Sequence, residues 1–99
     1  FTQGGDLVNV EDRYELYQNI PNPVVTTTEI GFYLPEASQG TIRILDVNGQ
    51  EVYSVSQSFE QGTNTWILDR SMLTGASGVY FYELRTDFGT ISRSMAIVR

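Results

Sequence analysis

TIRILDVNGQEVYSVS, residues 41–56, is the stretch that decides the fold class. Two runs rich in β-branched and aromatic residues flank Asn48-Gly49, a pair that readily accepts the positive φ of a two-residue type I′ turn. The reading is a hairpin of antiparallel strands. Its first run puts Ile42 and Ile44 on one face but Leu45 and Val47 on the other. That spacing predicts a bulge near Leu45, or cover on both faces at that point.

The same texture continues in both directions. Upstream, TEIGFYL (28–34) alternates with Ile30, Phe32 and Leu34 on one face, and Pro35 with the SQG of 38–40 then breaks it. Downstream, the turn EQGT (60–63) precedes NTWILD (64–69), with Trp66 and Leu68 on one face. DRSMLTGASG (69–78) reads as a loop holding one helical turn capped by Asp69 or Ser71. VYFYELRT (79–86) is the most aromatic strand, DFG (87–89) a short turn, and TISRSMAIVR a last strand with Ile91, Met95 and Ile97 on one face. That strand is expected beside Val79–Thr86.

YQNIPNP (17–23) is the anomaly, because its two prolines forbid a helix and cannot sit in a central ladder. With Tyr14–Gln18 as an edge strand, the chain has about seven short strands, the pattern of an immunoglobulin-like antiparallel β-sandwich. Phe32, Ile44, Trp66 and Phe81 or its neighbours should form the core. Pro21 and Pro23 are then expected at a sheet-to-sheet crossing, by which the first short strand leaves one sheet and Thr26–Leu34 enters the other. Asn19 and Asn22 are expected to bond nearby backbone in Asx fashion.

Composition limits the chemistry. The 99 residues suit one domain, and 40% hydrophobic with 18% charged residues is a globular balance. Cysteine and histidine are both absent, so thiol and imidazole catalysis is ruled out, carboxylates would have to carry any acid–base chemistry, and zinc or copper sites are nearly excluded. A net charge of −6 repels phosphate backbones, which argues against nucleic acid as a partner. No run approaches the roughly 20 apolar residues of a membrane helix. The opening FTQGGDLVNVEDR, with Gly4-Gly5, resembles a flexible linker. Residues 1–13 are therefore read as a tether to an upstream protein and 14–99 as the domain.

Three sharper readings compete with plain structural ones. Tyr80, Tyr82 and Tyr53 could form a glycan-stacking platform, but cross-strand packing and a tyrosine-corner contact, with Leu73 and Gly78 nearby, explain them as well. Glu11, Asp12 and Glu15 lack the spacing of a calcium loop. Glu51, Glu60 and Asp69 show no sign of meeting as an acid–base pair. Neither metal nor cofactor is expected. The terminal SMAIVR stands apart: a last strand ending in a free carboxylate is a handle for strand addition or carboxylate capture.

The blocks LYQNIPNP, the strand–NG–strand ending in Glu51-Val52, and Gly78-x-Tyr80 leading to a terminal apolar strand resemble, in that order over residues 16–99, the C-terminal sorting domain of type IX secretion cargo in Bacteroidota. Many members carry Phe-Asn-Pro after the PNP, where this chain has Val24-Val25-Thr26. The resemblance implies a non-catalytic secretion signal for a cargo fused at its N-terminus. It implies recognition by the outer-membrane machinery and removal by a sortase-like cysteine protease, after transit of the periplasm to the cell surface or medium. On that reading Ile97, Val98 and Arg99, with Gly78, Tyr80, Asp46 and Gly49, are the recognition residues, and Gly4-Gly5 marks the cleavable linker. The reading from a different class is an accessory sandwich that binds glycans or spaces the domains of a surface enzyme.

Overall fold

Alternating burial along each strand builds two facing sheets. The computed structural model describes residues 13–73 and 77–98. In chain order it contains β1 (Glu15–Leu16), β2 (Thr27–Leu34), β3 (Ser38–Leu45), β4 (Glu51–Phe59), β5 (Gly62–Asp69), a 3-10 turn (Arg70–Met72), β6 (Gly78–Thr86) and β7 (Gly89–Ile97). One sheet has the order β1-β2-β5 and the other β4-β3-β6-β7, with antiparallel pairing throughout both. This is the expected antiparallel β-sandwich of seven strands.

The core follows the period of two. Ile30, Phe32 and Leu34 of β2 face Ile42 and Ile44 of β3, Tyr82 and Leu84 of β6, and Met95 and Ile97 of β7, all almost fully buried. Phe32 meets Phe59 edge to face, with ring centroids 4.9 Å apart. The outward residues of the four-stranded sheet carry a charge ladder: Arg43 bonds Glu51 at 2.8 Å and Glu83 at 2.9 Å. Glu51 is open to water and Glu83 more sheltered, and neither pair rivals the buried apolar surface.

Several sequence expectations meet the coordinates directly. The register shifts between Ile44 and Leu45, so the bulge is real. Asp69 caps the short turn, its side chain accepting the Ser71 N–H at 2.9 Å. The last strand does pair beside β6 through the DFG turn, Thr86 opposite Gly89. The SQG of 38–40, in contrast, lies inside β3. Gly40 is there because the Phe59 ring covers it: a Cβ on Gly40 would sit 2.8 Å from that ring.

Two core assignments change. Phe81 points outward, and its neighbours Tyr80 and Tyr82 fill the interior instead. Trp66 is only half-buried; it packs on the core edge and stacks on Tyr53, centroids 5.9 Å apart. That stack closes the seam where β4 and β5 leave the two sheets side by side.

The opposite seam, between β1 and β7, explains YQNIPNP, and here the expected crossing is wrong. Both β1 and β2 belong to the same sheet, Glu15 opposite Tyr33 and Leu16 opposite Phe32. The chain stays beside β2 as far as Ile20, which bridges Glu29. Its backbone then pairs with the second sheet at Val24, in a parallel bridge to Ile97. Residues 17–24 therefore form a strap across the seam. Both prolines occupy strap positions where no ladder needs their missing N–H. Val24, fully buried, is the reason for the excursion.

The strap is fastened by buried polar contacts. The Tyr82 hydroxyl donates to the Tyr17 carbonyl at 2.7 Å and accepts the Asn19 N–H at 2.9 Å. Asn19 also donates through Nδ2 to Thr28 Oγ1 at 3.0 Å and to the nearby Pro21 carbonyl at 3.2 Å. Asn22 makes no local bond of the expected kind; its Oδ1 accepts the distant Ala96 N–H at 2.9 Å. Tyr82 does anchor a corner, but across the sandwich and not to its own loop. Burial pushes its phenol above the ordinary tyrosine value, so the hydroxyl remains a donor at neutral pH.

Two substitutions test this packing. Tyr82→Phe leaves the buried Asn19 N–H without its acceptor and should cost about 1–3 kcal/mol in chemical denaturation; a change near zero would mean that the hydroxyl does not hold the strap. Gly40→Ala forces the Phe59 ring aside and should cost a similar ~1–3 kcal/mol. A stabilised alanine variant would remove the close approach as the reason for this glycine.

Candidate recognition site

The antiparallel strands, each about 27 Å long at eight residues, give the sandwich two poles. One pole gathers the β3–β4 turn, the end of β5 with its 3-10 turn, the start of β6, the end of β7 and the proline strap. All the described candidates from the sequence, Asp46, Gly49, Gly78, Tyr80, Ile97 and Val98, lie there. Arg99, Gly4 and Gly5 lie outside the described residues, as do Glu11 and Asp12.

Each feature has a local cause. Asp46 organises its turn by accepting the Asn48 and Gln50 N–H groups through Oδ1, both at 2.9 Å. The Asp46 N–H bonds the Gln50 carbonyl and the Gly49 N–H bonds the Asp46 carbonyl, each at 2.9 Å, with Gly49 at φ 80°. This is a three-residue loop, Val47 to Gly49, in place of the expected two-residue type I′ turn. The bulge at Leu45 supplies the register change that the longer loop needs. At the start of β6, Gly78 has φ 142°, a region costly for any side chain, and pairs with Ile97.

The pole is apolar at its surface. Val25, Val47, Met72, Val79 and Val98 are all exposed here, whereas Phe88 is the exposed large hydrophobic of the other pole. Tyr80 forms a wall between two open clefts. One, of about 340 Å³, is lined by Val25, Arg70, Leu73 and Ile97; the other, of about 380 Å³, by Asp46, Val47, Val52 and Val79.

Ile97 is not presented as the sequence suggested: its side chain is 3% exposed and belongs to the core. Val98 is exposed, but its N–H donates to the Val24 carbonyl at 2.9 Å. The Val24 N–H in turn donates to the Ala96 carbonyl at 2.8 Å. The end of β7 is thus already paired with the strap. No sequence period could reveal this, since Val24 and Ile97 are joined only through the fold. The one hint was a Val-Val pair directly after PNP.

Chemistry is sparse. Glu51 is engaged by Arg43, Asp69 caps its turn, and the Glu60 segment is at the far pole, so the three carboxylates do not meet. Among the described residues no three acidic groups gather as metal ligands. Tyr82 is buried and Tyr53 lies against Trp66, so the tyrosines form no shared platform. Chain entry is at the far pole, where the Tyr14 hydroxyl donates to the Gly89 carbonyl at 2.9 Å and its ring lies 5.9 Å from Phe88.

The fold is thus a small β-sandwich that collects its turn motifs and the end of β7 at one pole. The chain belongs to the secretion system C-terminal sorting domain family, whose model matches residues 18–98. It is a type IX secretion sorting signal, which directs its bearer to the cell surface or the medium and engages the secretion system as a cargo tail. Among solved structures it is similar to CopC from Methylosinus trichosporium OB3b, with 16% identity over 86% of this chain and 91% of that chain and a TM-score of 0.49. Comparison with curated proteins gives no match.

Asp69 provides a direct probe of this pole. The Ser71 N–H and hydroxyl bond its carboxylate and hold its pKa below the usual aspartate value. A lowered folded-state pKa means that the cap is present at neutral pH and lost as pH falls through that value. The Ser71 amide resonance should therefore titrate with a midpoint below that of an ordinary aspartate. A midpoint at or above it would mean that the cap does not form.

Proposed function

We propose that this chain is the non-catalytic tail of a larger exported protein, presented motif pole first to the outer-membrane machinery. The observation that carries the reading is the polarity of the module. The recognition motifs and the β7 end occupy one pole while Arg13 and Tyr14 enter at the other, so a cargo attached through residues 1–13 leaves the motif pole clear. Val98, exposed at the apolar pole, and Arg99 after it in the sequence are the residues the machinery reads together with the Asp46–Gly49 turn and the Gly78–Tyr80 strand start. Ile97 supports them from the core. The cargo crosses the periplasm, and a sortase-like cysteine protease then cuts the linker near Gly4-Gly5, whose glycines let an extended segment enter a protease cleft.

The test is a reporter carrying the 99-residue chain at its C-terminus in a type IX-competent bacterium. The fusion should reach the surface or medium, with the reporter cut within residues 1–13 as read by mass spectrometry. Deleting Val98 and Arg99 removes one strap hydrogen bond, Val98 N–H to Val24, but no described buried side chain, and should lower the melting temperature little, while the precursor accumulates in the periplasm. Secretion of the folded truncation at the full level would refute the terminal reading, and a cut inside residues 30–99 would refute the linker reading.

A further inference from the structure

The hydrogen-bonding state of the β7 outer edge points to a second contact, away from the chain end. In β7 the odd-numbered residues Gly89, Ile91, Arg93, Met95 and Ile97 sit opposite Thr86, Leu84, Tyr82, Tyr80 and Gly78 of β6. The backbone groups of Ala96 and Val98 face the other way and are bonded to the strap. By the alternation of an antiparallel strand, Thr90, Ser92 and Ser94 face outward as well.

The strap imitates a neighbouring strand, and only at one end of this edge. Val24 supplies backbone bonds at Ala96 and Val98, the Asn22 side-chain amide replaces a backbone carbonyl at the Ala96 N–H, and Gln18 Nε2 replaces a backbone N–H at the Ser94 carbonyl, 2.8 Å away. Beyond that point the imitation stops. The Ser94 N–H and both backbone groups of Ser92 and Thr90 have no hydrogen-bond partner among the described residues.

Sheet edges left open in this way are normally guarded by proline, lysine or an inward-pointing charge. Thr90, Ser92 and Ser94 are small, exposed and uncharged. The charges nearest to them point elsewhere: Glu83 and Arg85 stand on the inner neighbour β6 opposite Ser92 and Thr90 and pair with each other, and Arg93 turns its guanidinium across the seam to the Leu16 carbonyl. A flanking backbone can approach closely.

We propose that the β7 edge at Thr90–Ser94 is where an extended strand of the outer-membrane secretion machinery adds to this sheet, by backbone hydrogen bonds in continuation of the strap. The proposal rests on the sorting function and deepens it. The strap already holds the terminal part of β7, so strand addition takes place on the open stretch while the chain end is read separately. A second copy is a poor occupant, because each chain carries a net charge of −6 and two would repel. An extended strand suits this edge, because a row of outward N–H and C=O groups asks only for a backbone opposite it.

Ser92→Pro tests the idea. It removes one outward N–H and places a ring on the edge, yet leaves the β6–β7 ladder untouched and fits an edge strand. In the same reporter fusion, a folded Ser92→Pro chain should lose at least about tenfold in export relative to wild type, an expectation drawn from blocked strand addition. Ser92→Ala, which alters only the side chain, should be exported normally. Should Ser92→Pro fail to fold, Ser94→Pro removes the neighbouring outward N–H and carries the same test. Full export of a folded proline variant would overturn the proposal while leaving the sorting reading intact. Failure of the wild-type fusion would instead sink the sorting reading. A wild-type dimer that Ser92→Pro dissolves in sedimentation would assign the edge to a second copy and likewise overturn the proposal.

Discussion

The buried hydroxyl of Tyr82 is the contact on which the rest of this domain depends. Two stacked sheets bury their facing sides automatically, but they leave a seam along each flank where water can reach the core. On one flank the hairpin side chains Tyr53 and Trp66 close the seam by stacking. On the other no strand is available, and residues 17–24 must do it. A single phenol binds both Tyr17 and Asn19, which places Val24 over Ile97 and shields Leu16 and Met95. Because burial disfavours the charged phenolate, this fastening does not change across the neutral range.

The strap also determines what the last strand can offer. It pairs with the end of β7, buries Ile97 and leaves Val98 at the surface, so Val98 is displayed from a strand that is already anchored. The same strap stops short of Ser92. One segment thereby divides the β7 edge into a protected end and an open middle. The turn motifs and the end of β7 lie at one pole and Tyr14 is held at the other, which gives the module a direction.

Stability and display draw on different residues. The interior is held by apolar burial and by a few satisfied polar groups, Asn19, Thr28 and Tyr82 among them. The charged residues mostly decorate the outer faces, where Arg43 with Glu51 and Glu83 lies open to solvent screening. The net negative charge thus concerns solubility and the choice of partners more than the fold.

Much was legible in the chain because local chemistry determined it. Alternation in 28–34 and 79–86, the Asn-Gly turn, the odd face of Leu45 and the Asp69 cap each depend on neighbours a few residues away, and each names its element without reference to the rest. The three blocks that resemble a sorting domain are likewise linear features, and they led to the family. What the tertiary structure alone decided is where separated pieces meet. The prolines pointed to a break but could not say that β1 and β2 share a sheet, because strand pairing is settled by which arrangement buries Val24 and satisfies Asn19. Hydrophobicity favours Phe81 over Tyr82 for the core; the register with β3 and β7 sends Phe81 out and Tyr82 in. Whether Ile97 is shown or hidden depends on a bridge to a residue 73 positions earlier, and no local pattern can carry a contact of that range.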